Sequence, residues 1–418
     1  MSEVHRECRF CFAALRRSFV DLGVSPVSND LLEFERLDAM EPFYPLHAFV
    51  CERCLLVQIP AFHRPEQIFT ADYAYFSSVS TSWLERMRAY AEGAIRTFAL
   101  GANDLVVELA SNDGYLLQYF VKADIPVLGI EPAANVAQAA IARGIRTEVA
   151  FFGTETARRV LARYGAARLL VANNVLAHVP DLNDFVGGIA LLLARDGVAT
   201  IEVPHLESLI DSVQFDTIYH EHFSYFSLGT LQQIFAAHGL ALIDAERTPT
   251  HGGSLRISVA RAATPATSGI EEILSSERAR GMDRIEGYSS FQSRVERVKH
   301  DLLRFLLEAR SEGRSVAAYA AAAKGTTLLN YCGIRSDFID FVADLSPRKQ
   351  GRYVPGVRIP IVGPERLREV KPDYILVLAW NILPEIREQL GFVREWGGRF
   401  VVAIPTVSIV EAVPSFNP

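Results

Sequence analysis

The chain is poor in the features that place a protein quickly. It has no uninterrupted apolar run of about 20 residues, so no segment reads as a membrane span. Its N-terminus, MSEVHRECRF, lacks the apolar stretch of a signal peptide, and a cytoplasmic location is expected. A basic excess is missing too. Lys and Arg number 42 against 49 Asp and Glu, a net charge of -7, which argues against a general nucleic-acid surface. Cysteine is scarce, with five in 418 residues. In a reducing compartment such cysteines are read as ligands or core residues before disulfides. What remains is ordinary globular composition, in a length that favours more than one domain.

Four of the five cysteines are paired. Cys8 and Cys11 form one C-x-x-C, and Cys51 and Cys54 form a second. A two-residue spacer lets both thiolates of a pair face one ion, and two pairs complete the tetrahedral shell of a closed zinc site. With all four ligands from protein, the zinc is structural. The alternatives are four buried thiols or a redox dithiol. Cys332 lies far off in sequence and reads as a core residue.

The segment DLVVELA (104–110) is a short apolar run ending in Ser111-Asn112-Asp113-Gly114, followed by the helix-like YLLQYFVKA. IPVLGIEP then reads as a second strand ending at Glu131. Strand, small-residue turn and helix open a doubly wound α/β sheet, and an acid after the second strand can bind the ribose hydroxyls of an adenosine. The turn lacks the G-x-G-x-x-G that brings backbone against a pyrophosphate. It starts instead with Glu108, which would repel phosphate but suits the cationic methionine part of S-adenosylmethionine. It also departs from the commoner E-x-G-x-G-x-G form of methyltransferases. Asn173 and Asn174 end the strand in ARLLVANN, where they could face the cofactor. GVATIEVPHL (197–206) reads as a further strand, and 240–249 with 254–262 as a final antiparallel pair. A helix-rich segment, 264–312, leads onward.

FDTIYHEHFSYFSL (215–228) crowds Asp216, Tyr219, His220, Glu221, His222 and Tyr225 into one loop leaving the sheet. Imidazole suits proton transfer near neutral pH, a carboxylate can fix its tautomer, and a tyrosine hydroxyl can stabilise an oxyanion. A metal chelate through His220 and His222, with His178 or His251, and an aromatic loop with buried histidines are the competing readings. In the last third, RSVAAYAAAAKGTTLLNYCG (314–333) again runs strand, small-residue turn, helix. Lys324 near that helix start could hold a phosphate. Asp344 follows the next strand, and Arg348 and Lys349 follow Asp344. DYILVLAWN (373–381) and GGRFVVAIP (397–405) repeat the alternation.

These segments, with GIEPAANVA, NNVLAHVPDLNDF, THGGSLRISVAR and DLSPRKQGRYVPG, together resemble the zinc-containing sugar C-methyltransferases, over nearly the whole chain and in the same order. That resemblance implies an α/β protein with an N-terminal zinc-binding domain (1–70), a class I methyltransferase Rossmann-like domain (71–262), a helical connector (263–312) and a C-terminal Rossmann-like domain for the nucleotide sugar (313–418). It implies S-adenosylmethionine and structural zinc as cofactors, and a nucleotide-linked 4-keto-deoxysugar, carried on thymidine or guanosine diphosphate, as substrate. It implies methylation at carbon 3, with His222 as base, Glu221 and Tyr219 as companions, and His178 and Tyr73 lining the sugar pocket. Glu108, Ser111, Asn112, Asp113, Glu131, Asn173 and Asn174 are then the cofactor residues, and Lys324, Asp344 and Arg348 the substrate-binding ones. The family's frequent glycine after the C-terminal tyrosine is Ala320 here, and Thr326 stands where asparagine is common. O- or N-methylation of a similar sugar, or a non-catalytic zinc-bearing ligand sensor, are the rival functions. No nucleic-acid or membrane partner is expected; a monomer is plausible.

Overall fold

The structure is a computed structural model and describes residues 6–62, 76–79, 81–261 and 267–411. The chain packs as two compact units that interleave along the sequence. The first contains residues 1–17, 50–207 and 223–287, and the second 18–49, 208–222 and 288–418. Compactness thus divides the chain differently from the four contiguous spans read from sequence. The segments 18–49 and 208–222 pack with the C-terminal third and not with their sequence neighbours.

Strands are numbered along the chain: β1 (Arg17–Ser25), β2 (Tyr44–Val50), β3 (Val57–Gln58), β4 (Val106–Leu109), β5 (Val127–Ile130), β6 (Thr147–Glu148), β7 (Ala167–Asn173), β8 (Leu193–Pro204), β9 (Ser224–Tyr225), β10 (Ala241–Thr248) and β11 (Ser254–Ala260). In the first unit β10, β11, β8, β7, β4, β5 and β6 form one seven-stranded sheet in that order. β4, β5, β6, β7 and β8 are parallel, and β10 and β11 close one edge antiparallel. Every residue of β4 and β5 is buried, as expected of strands covered by helices on both faces. Helix Thr81–Thr97 packs Met87 and Ala91 into the same core as Val106, Leu117, Phe120 and Leu169. β6 is only two residues long, which is why no apolar run announced it. Elsewhere in this unit β3 pairs with β9, placing Val57 and Gln58 against Tyr225 and Ser224.

The second unit holds a six-stranded sheet made of β12 (Val316–Tyr319), β13 (Val342–Ala343), β14 (Ile361–Val362), β15 (Tyr374–Val377), β16 (Arg399–Val402) and β17 (Ser408–Val410). Its order is β14-β13-β12-β15-β16-β17, all parallel except β17. Both sheets therefore reverse direction beside their first strand, the switch point where α/β sheets take ligands. Gly325 stands in the first turn of the helix Ala323–Cys332 for a packing reason. A Cβ there would stand 2.8 Å from Leu378 Cδ1, so glycine lets the helix close onto the end of β15. Among the described residues no helix is long and apolar enough to cross a membrane.

Candidate active site

The two C-x-x-C segments fold into matching knuckles. Phe12 N–H donates to Cys8 O and Leu55 N–H to Cys51 O, each at 2.9 Å, and Phe12 and Leu55 take φ of 60° and 62°. Cys8 N–H then donates to Ala13 O and Cys51 N–H to Leu56 O. The repeated geometry turns all four sulfurs inward, within 4.8 Å of one another. Cys8 and Cys54 Sγ are 3.5 Å apart, as are Cys11 and Cys51, and Gln58 Nε2 donates to Cys8 Sγ at 3.2 Å. Four thiolates this close need a cation, and the sulfur-only set fits zinc. No other group of three or more His, Cys, Asp or Glu converges this way among the described residues, so His220, Glu221 and His222 form no chelate.

The turn after β4 resolves the missing glycines. Ala110, Asn112 and Gly114, the glycine positions of E-x-G-x-G-x-G, take φ of 52°, 50° and 77°. The backbone keeps the left-handed path although two of its residues carry a Cβ. The same holds in the second sheet, where Ala320 after β12 has φ of 69°. A Cβ in this region costs about 1–2 kcal/mol. Ala110→Gly and Ala320→Gly are therefore expected to raise stability by about 0.5–1 kcal/mol each, measured as the urea midpoint at constant m, against the usual cost of glycine.

Glu131 binds this turn. Its Oε2 accepts from Asn112 N–H at 2.9 Å and its Oε1 from Ala133 N–H at 2.8 Å, which fixes the carboxylate while each oxygen keeps a second lone pair for a ribose hydroxyl. Glu108 is fully buried at the end of β4 beside the Tyr115 hydroxyl. Burial pushes its carboxyl well above the usual range, and the charges of Glu131 and Asp113 add to this. A cationic group placed there would relieve the strain, which fits the ammonium of S-adenosylmethionine. Asn173 and Asn174 each present a buried Oδ1 without a hydrogen-bond partner at the end of β7. Trp83 stacks on Tyr115, with ring centroids 5.9 Å apart. Ser111 is buried against Gly129, where a Cβ would stand 2.4 Å from its Oγ. Asp113 Oδ2 accepts from the Ser78 hydroxyl and lies 3.2 Å from Arg143, while its Oδ1 is buried without a hydrogen-bond partner. His178 closes the short turn Leu176–His178 after β7, half-buried. Tyr73 lies outside the described residues.

In the second unit the Y-H-E-H loop pairs Tyr219 with His222. The Tyr219 hydroxyl is 2.9 Å from His222 Nε2, and His222 Nδ1 is 2.9 Å from Thr217 O. A carbonyl only accepts, so Nδ1 carries the proton and Nε2 keeps its lone pair, into which Tyr219 donates. Glu221 does not orient this ring. It is buried and accepts from Asn29 Nδ2 on both oxygens, at 2.8 and 2.9 Å. His220 turns to Pro45 O. Burial raises the Glu221 carboxyl from 4.5 to about 7. The folded chain then holds a proton that the unfolded chain has released, so this group's contribution to stability falls as pH rises through that window. Melting temperature is expected to drop between pH 5 and 7.5, and Glu221→Gln to flatten that slope; an unchanged slope would rule Glu221 out as the titrating group.

Asp344 repeats the role of Glu131 in the second sheet. Its Oδ2 accepts from Ala321 N–H in the turn after β12, and its Oδ1 from Ser346 N–H, both at 2.8 Å. Arg348 is exposed in the following turn. Lys324 is engaged within the protein. Its Nζ donates to Asn381 Oδ1 at 2.7 Å and lies 4.6 Å from the Trp380 ring centre, so a phosphate would have to compete for it. Asp216, Trp380, Asn381 and Asn29 received no role from sequence. Asp216 stood in the same crowded loop, but nothing in its spacing pointed to a tryptophan 164 residues later.

A seven-stranded sheet of this order, with an acid-led left-handed turn and a ribose-ready glutamate, defines a class I S-adenosylmethionine-dependent methyltransferase. Three family models match: "Putative zinc binding domain" over residues 8–69, "Methyltransferase domain" over 83–245 and "C-methyltransferase C-terminal domain" over 249–405. The chain is 38% identical to the C-methyltransferase NovU of Streptomyces niveus over 408 residues, 97% of each chain. It belongs to that family of S-adenosylmethionine-dependent C-methyltransferases with an N-terminal zinc-binding domain. Among solved structures, magnesium protoporphyrin IX methyltransferase of Synechocystis PCC 6803 with bound SAM is 13% identical, with a TM-score of 0.33 over 47% of this chain and 89% of that one. An S-adenosylmethionine-dependent methyltransferase of Anabaena variabilis has a TM-score of 0.36 at 13% identity, over 49% of this chain and 100% of that one.

Proposed function

We propose that this C-methyltransferase acts on carbon 3 of a nucleotide-linked 4-keto-6-deoxysugar. The observation that carries the reading is the Tyr219–His222 pair, in which Thr217 O fixes the imidazole tautomer and leaves Nε2 as a base. A C–H beside a ketone is weakly acidic, and its removal places charge on the carbonyl oxygen. Such a reaction needs a base near neutrality and a donor for that oxygen, and this loop supplies both in one contact. S-adenosylmethionine, when bound, supplies an electrophilic methyl on a sulfonium. His222 Nε2 takes the proton from carbon 3, displacing the Tyr219 hydroxyl, which turns to the C4 oxygen of the forming enolate. His178 and Tyr73 join the sugar side by family resemblance, and Asp344 and Arg348 the nucleotide side. Glu131 and Glu108 would hold the cofactor, at the ribose and the ammonium. The four cysteines take no part in the chemistry, since a saturated zinc has no open position.

Incubation with S-adenosylmethionine and a panel of thymidine- and guanosine-diphosphate 4-keto-6-deoxysugars is expected to add one methylene in mass, with fragmentation placing the methyl on carbon 3. A methyl found on oxygen or nitrogen would overturn the carbon assignment. Turnover of sugars that lack the ketone would remove the enolate from the mechanism.

A further inference from the structure

The short turn Phe215–Thr217 carries Asp216 directly before the residue whose carbonyl holds His222. Asp216 is completely buried. Its Oδ2 accepts from Trp380 Nε1–H at 2.7 Å, and its Oδ1 has no hydrogen-bond partner in the structure. Trp380 and Asn381 also hold Lys324, through the ring face at 4.6 Å and the amide oxygen at 2.7 Å. On the other side of Thr217, the next carbonyl, Ile218 O, accepts from Thr327 Oγ1 at 3.1 Å. Thr217 is therefore tethered through both sequence neighbours, by Asp216 to β15's outgoing turn and by Ile218 to helix Ala323–Cys332.

We propose that Asp216, held by Trp380 and electrically balanced by Lys324, is a positioning residue that fixes the Thr217 carbonyl and through it the Nδ1–H tautomer of His222. The inference rests on His222 being the base. A buried carboxylate is expensive unless it is paired and hydrogen-bonded, so a merely structural site would be served as well by an apolar side chain. Burial lifts the Asp216 carboxyl to about 6, and the nearby Lys324 ammonium pulls it back toward the charged form. The charge is thus retained only with its partners in place. Without it, the Trp380 tether loosens, the Thr217 carbonyl is free to rotate, and the imidazole can place its proton on Nε2, where it cannot act as a base.

The test uses the full-length, zinc-loaded protein. Nitrogen-15 spectra of histidine-labelled protein report which ring nitrogen of His222 carries the proton, the signal being assigned by its loss in His222→Gln. Asp216→Asn is expected to raise the Nε2–H form of His222. It should also lower kcat and solvent-deuterium exchange into thymidine-diphosphate 4-keto-6-deoxyglucose together, by tenfold or more, with KM within about twofold. Asp216→Asn/Lys324→Met should be no worse than Asp216→Asn alone, because the two charges act as one unit. Should Asp216→Asn fail to fold, Trp380→Phe keeps the ring over Lys324 and removes only the donor, and the same changes are expected at a few-fold level. An unchanged His222 nitrogen pattern in the folded variants, or a change in KM alone, would overturn the proposal while leaving His222 as base. Undiminished exchange in His222→Gln would remove both.

Discussion

His222→Asn is expected to abolish deuterium exchange at the carbon beside the substrate ketone and to lower methyl transfer by about 10²–10⁴-fold, the usual contribution of a positioned base. Asparagine keeps a donor for Thr217 O but has no basic nitrogen, so the loop should hold its shape. Glu108 and Glu131, proposed to hold the cofactor, lie on β4 and directly after β5, outside the Y-H-E-H loop. S-adenosylmethionine affinity, measured by calorimetry, is therefore expected to stay within about twofold. Tyr219→Phe should act differently. It leaves the base but removes the oxyanion donor, an effect of order 10²–10³ on kcat. Exchange at wild-type rate in His222→Asn would sink the base assignment, and a parallel loss of cofactor binding would mark the variant as misfolded.

The second large effect concerns the four cysteines. One zinc per chain is expected by elemental analysis, and chelation or Cys51→Ser should release it. Structural zinc contributes about 10–16 kcal/mol in small zinc domains. Here, among the described residues, the four sulfurs are the only groups that join the two C-x-x-C turns through one centre. Outside the sulfurs, Gln58 bonds Cys8 Sγ and Arg9 N–H, Asn183 Nδ2 donates to Phe10 O, and Arg9 donates to Pro180 O, so the knuckles are also tied to their surroundings. Loss of the ion should lower the melting temperature by about 10 °C or more and expose the knuckles to protease. Cys332→Ser is the control. Its thiol is buried, which pushes it up to about 12, and it is not one of the four clustered sulfurs. Zinc content should be unchanged in that variant. A metal-free protein with an unaltered melting curve would end the structural-zinc reading.

Much of the fold was legible because parallel strands buried on both faces read as short continuous apolar runs. VVEL, VLGI and RLLVA stand out against the helical stretches between them. The two-residue strands β6, β13 and β14 did not, since a pair of residues carries no periodicity. The cofactor turn was read correctly as acid-led, but its missing glycines looked like a departure. The departure is in residue type alone, and the backbone at Ala110, Asn112 and Ala320 takes the conformation that glycine usually supplies. In the Y-H-E-H loop, Tyr219 and His222 were visible as residue types, whereas the bond from Asn29 to Glu221 was not.

The amino-acid order alone determined what is local: four thiols in two C-x-x-C pairs, an acid at the end of each strand that needs one, and a loop dense in imidazole and phenol. Those features depend on spacing over a few residues, and spacing is written in the chain. Tertiary structure decided which nitrogen of His222 carries the proton, which acid touches which amide, and that Asp216 meets Trp380. Hydrogen bonds act over about 3 Å and ignore sequence distance, so partners 164 residues apart become neighbours only once the second unit has folded.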